Sequence, residues 1–169
     1  MTEPRILTIG HSNHALAQFL ALIEGAGVSL IVDVRSRPVS RWVPHFNKTP
    51  LEAVLAERGI SYLYLGRELG GRPDDPLLMK NGKPDYAAMA RTPAFAAGLK
   101  RVIDASAHDA VALLCAERDP VDCHRFLLIG RELAARGIPV AHILAGGVVE
   151  PQADTEQRTR GGADDLFRR

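Results

Sequence analysis

Cysteine is scarce in this chain, with two in 169 residues, and long apolar runs are missing altogether. Two cysteines are too few for the disulfide framework of a small secreted scaffold, so a pair of reduced thiols is expected. No run nears the roughly 18 apolar residues that a membrane helix needs. The apolar stretch after Met1-Thr2-Glu3-Pro4-Arg5 is too short for a signal peptide, which makes the cytoplasm the expected location. An excess of charge is lacking as well: 21 Lys and Arg against 20 Asp and Glu leave +1. With 46% hydrophobic residues, that balance excludes a charge-extended disordered chain. It says little about partners, because charge can still be clustered. No internal repeat is visible.

What is present is an alternation of short apolar runs with helical patterns, the mark of a single α/β domain with a mainly parallel sheet. Five strands are expected: Arg5 to Ile9, Leu30 to Val34, Ile60 to Leu65, Ala110 to Cys115 and Pro139 to Leu144. Leu16, Phe19, Leu20 and Ile23 share one helical face, with Ser12 or Asn13 placed to cap the helix and glycine to end it near Gly27. Thr49-Pro50-Leu51-Glu52 reads as a capping box, and Thr92-Pro93 opens a further helix over Phe95, Leu99, Val102 and Ile103. Cys123 to Arg136 is helical up to Gly137. The architecture expected is three-layer and Rossmann-like over residues 1–147. Residues 148–169, polar and glycine-bearing, are expected to form a mobile tail.

Two connections are long, Arg35 to Lys48 and Gly66 to Asp85, and loops of that length in a compact domain usually have a task. Both follow strands and should emerge on the same sheet edge as Cys115, where parallel sheets place ligands. The first contains Arg35, Arg37, Arg41, Trp42, His45, Phe46 and Lys48, with no acidic residue from Val34 to Leu51. Arginines interleaved with rings suit phosphates and stacked bases, while a surface loop with tucked aromatics would look the same. Asp33, ending its strand, is placed to orient Arg35. His11, beyond the first strand, is a candidate base or ligand. Arg67 and Glu68 with Gly70-Gly71 suit either a closing loop or an internally paired one.

The richest stretch runs from Leu113 to Arg125, where a strand ends in Cys115, a polar loop holds Glu117, and a helix opens on Cys123-His124-Arg125. Free amides at a helix start attract anions and acidify thiols. An anion cradle on Arg125, a nucleophilic thiol, a metal site using Cys115, Cys123 and His11 or His124, and two buried structural cysteines all remain open. Cys-x7-Cys is not a standard zinc spacing.

Ile9-Gly10-His11-Ser12, Asp33-Val34-Arg35-Ser36-x-Pro38-x-Ser40-Arg41, Phe46-Asn47, Leu65 to Gly71, and Cys115-Ala116-Glu117 with Cys123-His124-Arg125 resemble the bacterial family named domain of unknown function 488. The resemblance runs from about Ile6 to Gly146. It implies an α/β fold but no set reaction, and some relatives look associated with DNA repair proteins of the base-excision type. A looser likeness is to the rhodanese fold, which would make Cys115 the sulfur-accepting residue. Glu117, Asp119 and Asp122 in the loop would repel an anionic persulfide and argue against sulfur transfer. Asp164-Asp165-Leu166-Phe167 looks somewhat like peptides that dock on the bacterial sliding clamp.

The expectation is therefore a phosphate- or anion-binding protein that recognises nucleic acid or a nucleotide, in a DNA-repair setting. His11, Glu117, Cys115 and Cys123 are the candidate catalytic residues for any hydrolytic step. Arg35, Arg37, Arg41, Trp42, Arg67, His124 and Arg125 are the anion or nucleic-acid contacts, and no metal or cofactor is expected. The rival expectations are a cysteine-dependent transferase or hydrolase on a rhodanese-like scaffold, and a metal-binding protein.

Overall fold

Each of the five expected apolar runs forms a strand in the computed structural model, which describes residues 6–166 and side chains through residue 160. They are β1 (Ile6–Gly10), β2 (Leu30–Asp33), β3 (Ser61–Tyr64), β6 (Val111–Cys115) and β7 (Val140–Ile143). A two-residue hairpin of β4 (Met79–Lys80) and β5 (Lys83–Pro84) lies within the long connection after β3. A further strand, β8 (Val149–Pro151), completes a six-stranded sheet in the order β3-β2-β6-β1-β7-β8. All pairings in it are parallel except β8 against β7.

Alternation along the strands divides the core in two. Leu7, Ile9, Ile31 and Leu114 face a cluster with Phe19, Ile23, Phe46 and Leu55, under α1 (Leu16–Gly25) and α2 (Lys48–Glu57). Ile6, Val32 and Leu113 face the opposite cluster with Phe95, Leu99, Val102 and Leu133. That side is covered by α5 (Pro93–Ser106) and by the helix that ends in α6 (Arg131–Ala135). Helices on both faces make the three layers, and each fully buried Leu or Phe contributes about 1.5–3 kcal/mol. Short turns of helix, α3 (Gly66–Leu69) and α4 (Tyr86–Ala90), sit in the connections around the hairpin.

Local signals are used unevenly. Gly27, Gly59 and Gly137 end their helices at φ of 72–73°, the left-handed region that glycine enters freely. Thr92 caps α5 by accepting from the Phe95 amide at 3.2 Å. Ser12 and Asn13 do not cap α1, whose N-cap is Ala15. The capping box is not formed either: α2 starts at Lys48 after Asn47, and the Asn47 side-chain Oδ1 instead accepts from the Ser40 amide at 2.6 Å. That bond ties the basic loop to the helix start.

Beyond Gly147 the chain differs from the mobile tail expected of it, since β8 is followed by α7 (Gln152–Leu166). Polarity hid this segment, whose anchors are polar. His142 Nε2–H donates to Gln152 at 2.7 Å, Thr155 is fully buried, and Arg131 pairs with Glu156 at 3.0 Å. The side chains of Asp164 to Leu166, and Phe167 entirely, lie outside the described residues. Among the described residues no helix is long and apolar enough to cross a membrane.

Candidate functional site

The carboxyl ends of β1, β2 and β6 meet at one edge, with Gly10 in register with Cys115. Pairing continues past the strands: the His11 amide donates to the Cys115 carbonyl and the Ser12 amide to Ala116, both at 2.9 Å. The loop from Ala116 to Asp122 is held from beneath by Arg125. Its guanidinium, fully buried, donates to the carbonyls of Glu117 (2.7 Å) and Arg118 (3.3 Å), and its Nε has no partner. Burial lowers the Arg125 pKa to about 10, with Asp119 and Glu117 opposing. Asp119 accepts from the Val121 amide and from Arg158, so its carboxylate is already engaged.

Cys115, Cys123 and His124 are all buried and converge at the end of this loop. The two sulfurs meet as a disulfide pair, which corrects the expectation of two separate reduced thiols; their Cα atoms are 7.6 Å apart. A strand end and a helix start bring them together across a seven-residue gap. His124 Nε2 lies 3.0 Å from the Val34 carbonyl oxygen, which can only accept, so the ring proton is on Nε2. Nδ1 is left bare, 3.7 Å from the Cys115 sulfur and 3.6 Å from that of Cys123. Burial pushes the His124 pKa down to about 4, and the ring is neutral near pH 7. The helix continues with π geometry over Arg125–Gly130, a local widening often found at functional sites.

His11 is arranged the same way. Its Nδ1–H donates to the Ser12 carbonyl at 2.8 Å, Nε2 is bare, and the ring stacks on Phe46 at 4.8 Å. Burial pushes its pKa down to about 4. Arg35 is gripped by Asp33 through two bonds of 2.9 and 2.7 Å, so its charge is compensated within the protein. Tyr62 donates to Asp33 Oδ2, an oxygen it shares with Arg35, at 2.6 Å, and Tyr64 donates toward the carbonyls of Arg35 and Ser36. Burial, with the Asp33 bond, raises the Tyr62 pKa. Tyr62→Phe should therefore cost about 1–2 kcal/mol, seen as a lower urea midpoint at unchanged m-value. An unchanged midpoint would show that Asp33 does not depend on this hydroxyl.

His11, Arg35, Cys115, Cys123 and His124 border a cleft of about 730 Å³, within the range of small-molecule sites. A family model described as Domain of unknown function DUF488 matches residues 15–131. The chain belongs to the DUF488 family. No curated protein and no solved structure matches the chain, and the likeness to the rhodanese fold is not shown. The span matched by DUF488 includes both cysteines, His124 and both long connections, whereas His11, β7 and α7 lie outside it.

Of the expected site residues in this DUF488 protein, His11, Cys115, Glu117, Cys123, His124, Arg35 and Arg37 line the cleft. Arg41, Trp42, Arg67 and Arg125 do not. Arg125 was expected to cradle an anion, but it is spent on two loop carbonyls. Arg67 is exposed beside a smaller pocket of about 340 Å³ in the company of Glu68, Asp74 and Asp75. Arg41 lies over the Trp42 ring at 5.1 Å, and Trp42 is 82% exposed. Arg72, Asp122, Ser36 and Tyr86 also line the cleft and were missed. Arg72 carried one legible signal, its place directly after Gly70-Gly71. That pair serves close packing: a Cβ on Gly71 would stand 2.7–3.0 Å from atoms of His124, and one on Gly70 would overlap Gly66 and Ser36.

Proposed function

We propose that the cleft receives a phosphate-bearing ligand, a nucleotide or a short single-stranded segment of nucleic acid. Arg37 and Arg72 take the phosphates and Trp42 stacks on a base. One observation carries this reading: two exposed guanidiniums without carboxylate partners among the described residues border the cleft, and one of them, Arg37, lies five residues before an exposed tryptophan backed by Arg41. An exposed tryptophan contributes little to the core, whereas a ring open to solvent is a stacking platform. Trp42 is tied to the cleft wall, since its amide donates to Ser40, which lines the cleft.

Glu117 and Asp122 line the cleft as well and limit how much negative charge it can take. With a net charge of only +1, that favours one or two phosphates over a duplex backbone. Base-excision repair, the setting that the family resemblance suggests, presents ligands of that size.

Trp42 is the chain's one tryptophan, so its emission reports directly on this surface. Titrating a short single-stranded oligonucleotide at low salt should quench it. Two phosphate contacts give a log–log salt slope of about −1.4, and Arg37→Ala or Arg72→Ala should reduce that by about 0.7 and weaken binding roughly tenfold. No quenching at low salt, or equal binding by a variant carrying both Arg37→Ala and Arg72→Ala, would remove the proposal.

A further inference from the structure

We infer that Cys115, Cys123 and His124 together form a site for a soft divalent cation, zinc in the first place, with three protein ligands and a fourth position open to the cleft. Their ligand atoms all lie within 4.8 Å of one another, and among the described residues the cluster stops at these three. In a tetrahedral site with Zn–S of about 2.3 Å and Zn–N of about 2.0–2.1 Å, sulfur and nitrogen stand about 3.6 Å apart. His124 Nδ1 is 3.7 and 3.6 Å from the two sulfurs.

The backbone frame agrees with this. Cα atoms 7.6 Å apart exceed the roughly 4.4–6.8 Å that a disulfide ordinarily spans. While bonded to each other the sulfurs cannot both ligate; once reduced, this wide frame lets them part to the about 3.8 Å of two sulfurs on one zinc ion. The reduced pair is the ligand form.

His124 is prepared as a ligand by its surroundings. Its Nε2–H is fixed on the Val34 carbonyl, which sets the tautomer and turns the Nδ1 lone pair toward the sulfurs, as outer-shell partners of metal-bound histidines do. Gly71 packs against the same ring and limits its rotation. Once reduced, two thiols buried this deeply ionise only with a cation nearby. Arg125 does not serve, since its amino groups are engaged by the Glu117 and Arg118 carbonyls. A divalent ion on two thiolates and a neutral imidazole leaves no net charge.

Three protein ligands with an open fourth position is the pattern of catalytic rather than structural zinc. His11, Glu117 and Asp122 line the same cleft outside the cluster, so the open position falls to water or to an oxygen of the bound ligand. The inference stands apart from the nucleotide proposal, because it rests on none of Arg37, Arg72 or Trp42.

The test uses the full chain, reduced with a phosphine and dialysed against zinc or cobalt(II). About one ion per chain by elemental analysis is expected. Cobalt should give the visible bands of a tetrahedral ion together with thiolate-to-cobalt charge transfer in the near ultraviolet. Zinc should protect both cysteines of the wild-type protein from iodoacetamide, a readout that needs no variant to fold. Cys123→Ser and His124→Ala should abolish the stoichiometric ion. The site is refuted if the reduced wild type takes up neither metal, if the cobalt spectrum lacks the thiolate band, or if both cysteines alkylate equally fast with and without zinc. In that last case the thiols are free, and cysteine-dependent chemistry becomes the better account of them.

Discussion

Gly10→Ala is expected to lower stability by about 3–5 kcal/mol, roughly 10 °C in Tm for a domain of this size, although it adds only a methyl group at a strand end. The cost comes from what lies opposite. A Cβ at Gly10 would overlap the Glu117 carbonyl oxygen and the Arg125 guanidinium. Neither can step aside cheaply. The carbonyl belongs to a segment whose Cys115 and Ala116 carbonyls accept from the His11 and Ser12 amides just past β1, and Arg125 is fully buried. Moving the loop breaks the bonds from Arg125 to Glu117 and Arg118, which strands a buried cation whose Nε already has no partner. The same displacement would shift Cys115 relative to Cys123 and His124. A urea or thermal unfolding curve decides the matter, and a Tm within 3 °C of wild type would show that the loop is held loosely. A milder companion is Gly71→Ala, whose Cβ meets the His124 ring and should disturb the sulfur cluster more than global stability.

The sheet was legible because its central strands bury both faces and so read as continuous apolar runs. Ile6 to Gly10 and Val111 to Cys115 are buried throughout, and nothing in their sequence competes with a strand. The β8–α7 segment follows the opposite logic. Its attachment rests on Gln152, Thr155 and Glu156, residues that a composition argument assigns to solvent. Asn47 illustrates a third case, where a good helix cap is diverted to a loop amide because the tertiary structure needs the loop fixed.

At the site, residue type and strand-end position located the cleft, since both long connections and Cys115 line it. Sequence could not assign roles to the arginines. Arg35 sits two residues from Asp33, and that pairing was readable. Arg125 differs from a ligand-binding arginine only in what its hydrogen bonds reach, and both acceptors are backbone carbonyls seven and eight residues away. The cysteine–histidine cluster was readable only as one of several open options, because nothing in its spacing favoured it. Metal motifs are recognised by short spacings within a turn or knuckle, whereas here the seven-residue separation is closed by the fold and by Arg125.

Acid should destabilise this protein well before its carboxylates titrate. His142 is fully buried between Thr8, whose hydroxyl donates to Nδ1 at 2.6 Å, and Gln152, which accepts from Nε2–H at 2.7 Å. Burial pushes its pKa down to about 4, as it does for His11. A histidine whose folded pKa lies below the unfolded value of about 6.5 contributes stability that is fully present above pH 6.5 and is lost as pH falls toward 4. At pH 5 the loss is about 2 kcal/mol for each of the two, or about 4 kcal/mol relative to pH 8. Asp119 and Glu156, lowered chiefly by bonds from Arg158 and Arg131, and Glu150, where burial is overcome by the bonds from Arg158 and Thr155 together with nearby charge, give up their contributions at lower pH, which leaves the window from 6.5 to 4.5 to the histidines. His124 is kept out of this sum because a bound ion would hold its Nδ1. Urea unfolding from pH 8 to 4.5 should show stability falling by about 2 kcal/mol per pH unit near pH 5.5, and His142→Asn should roughly halve that slope while lowering stability at pH 8. A slope unchanged by His142→Asn would mean that this ring is not buried neutral, and that α7, anchored to the sheet through Gln152, docks less firmly than its buried contacts require.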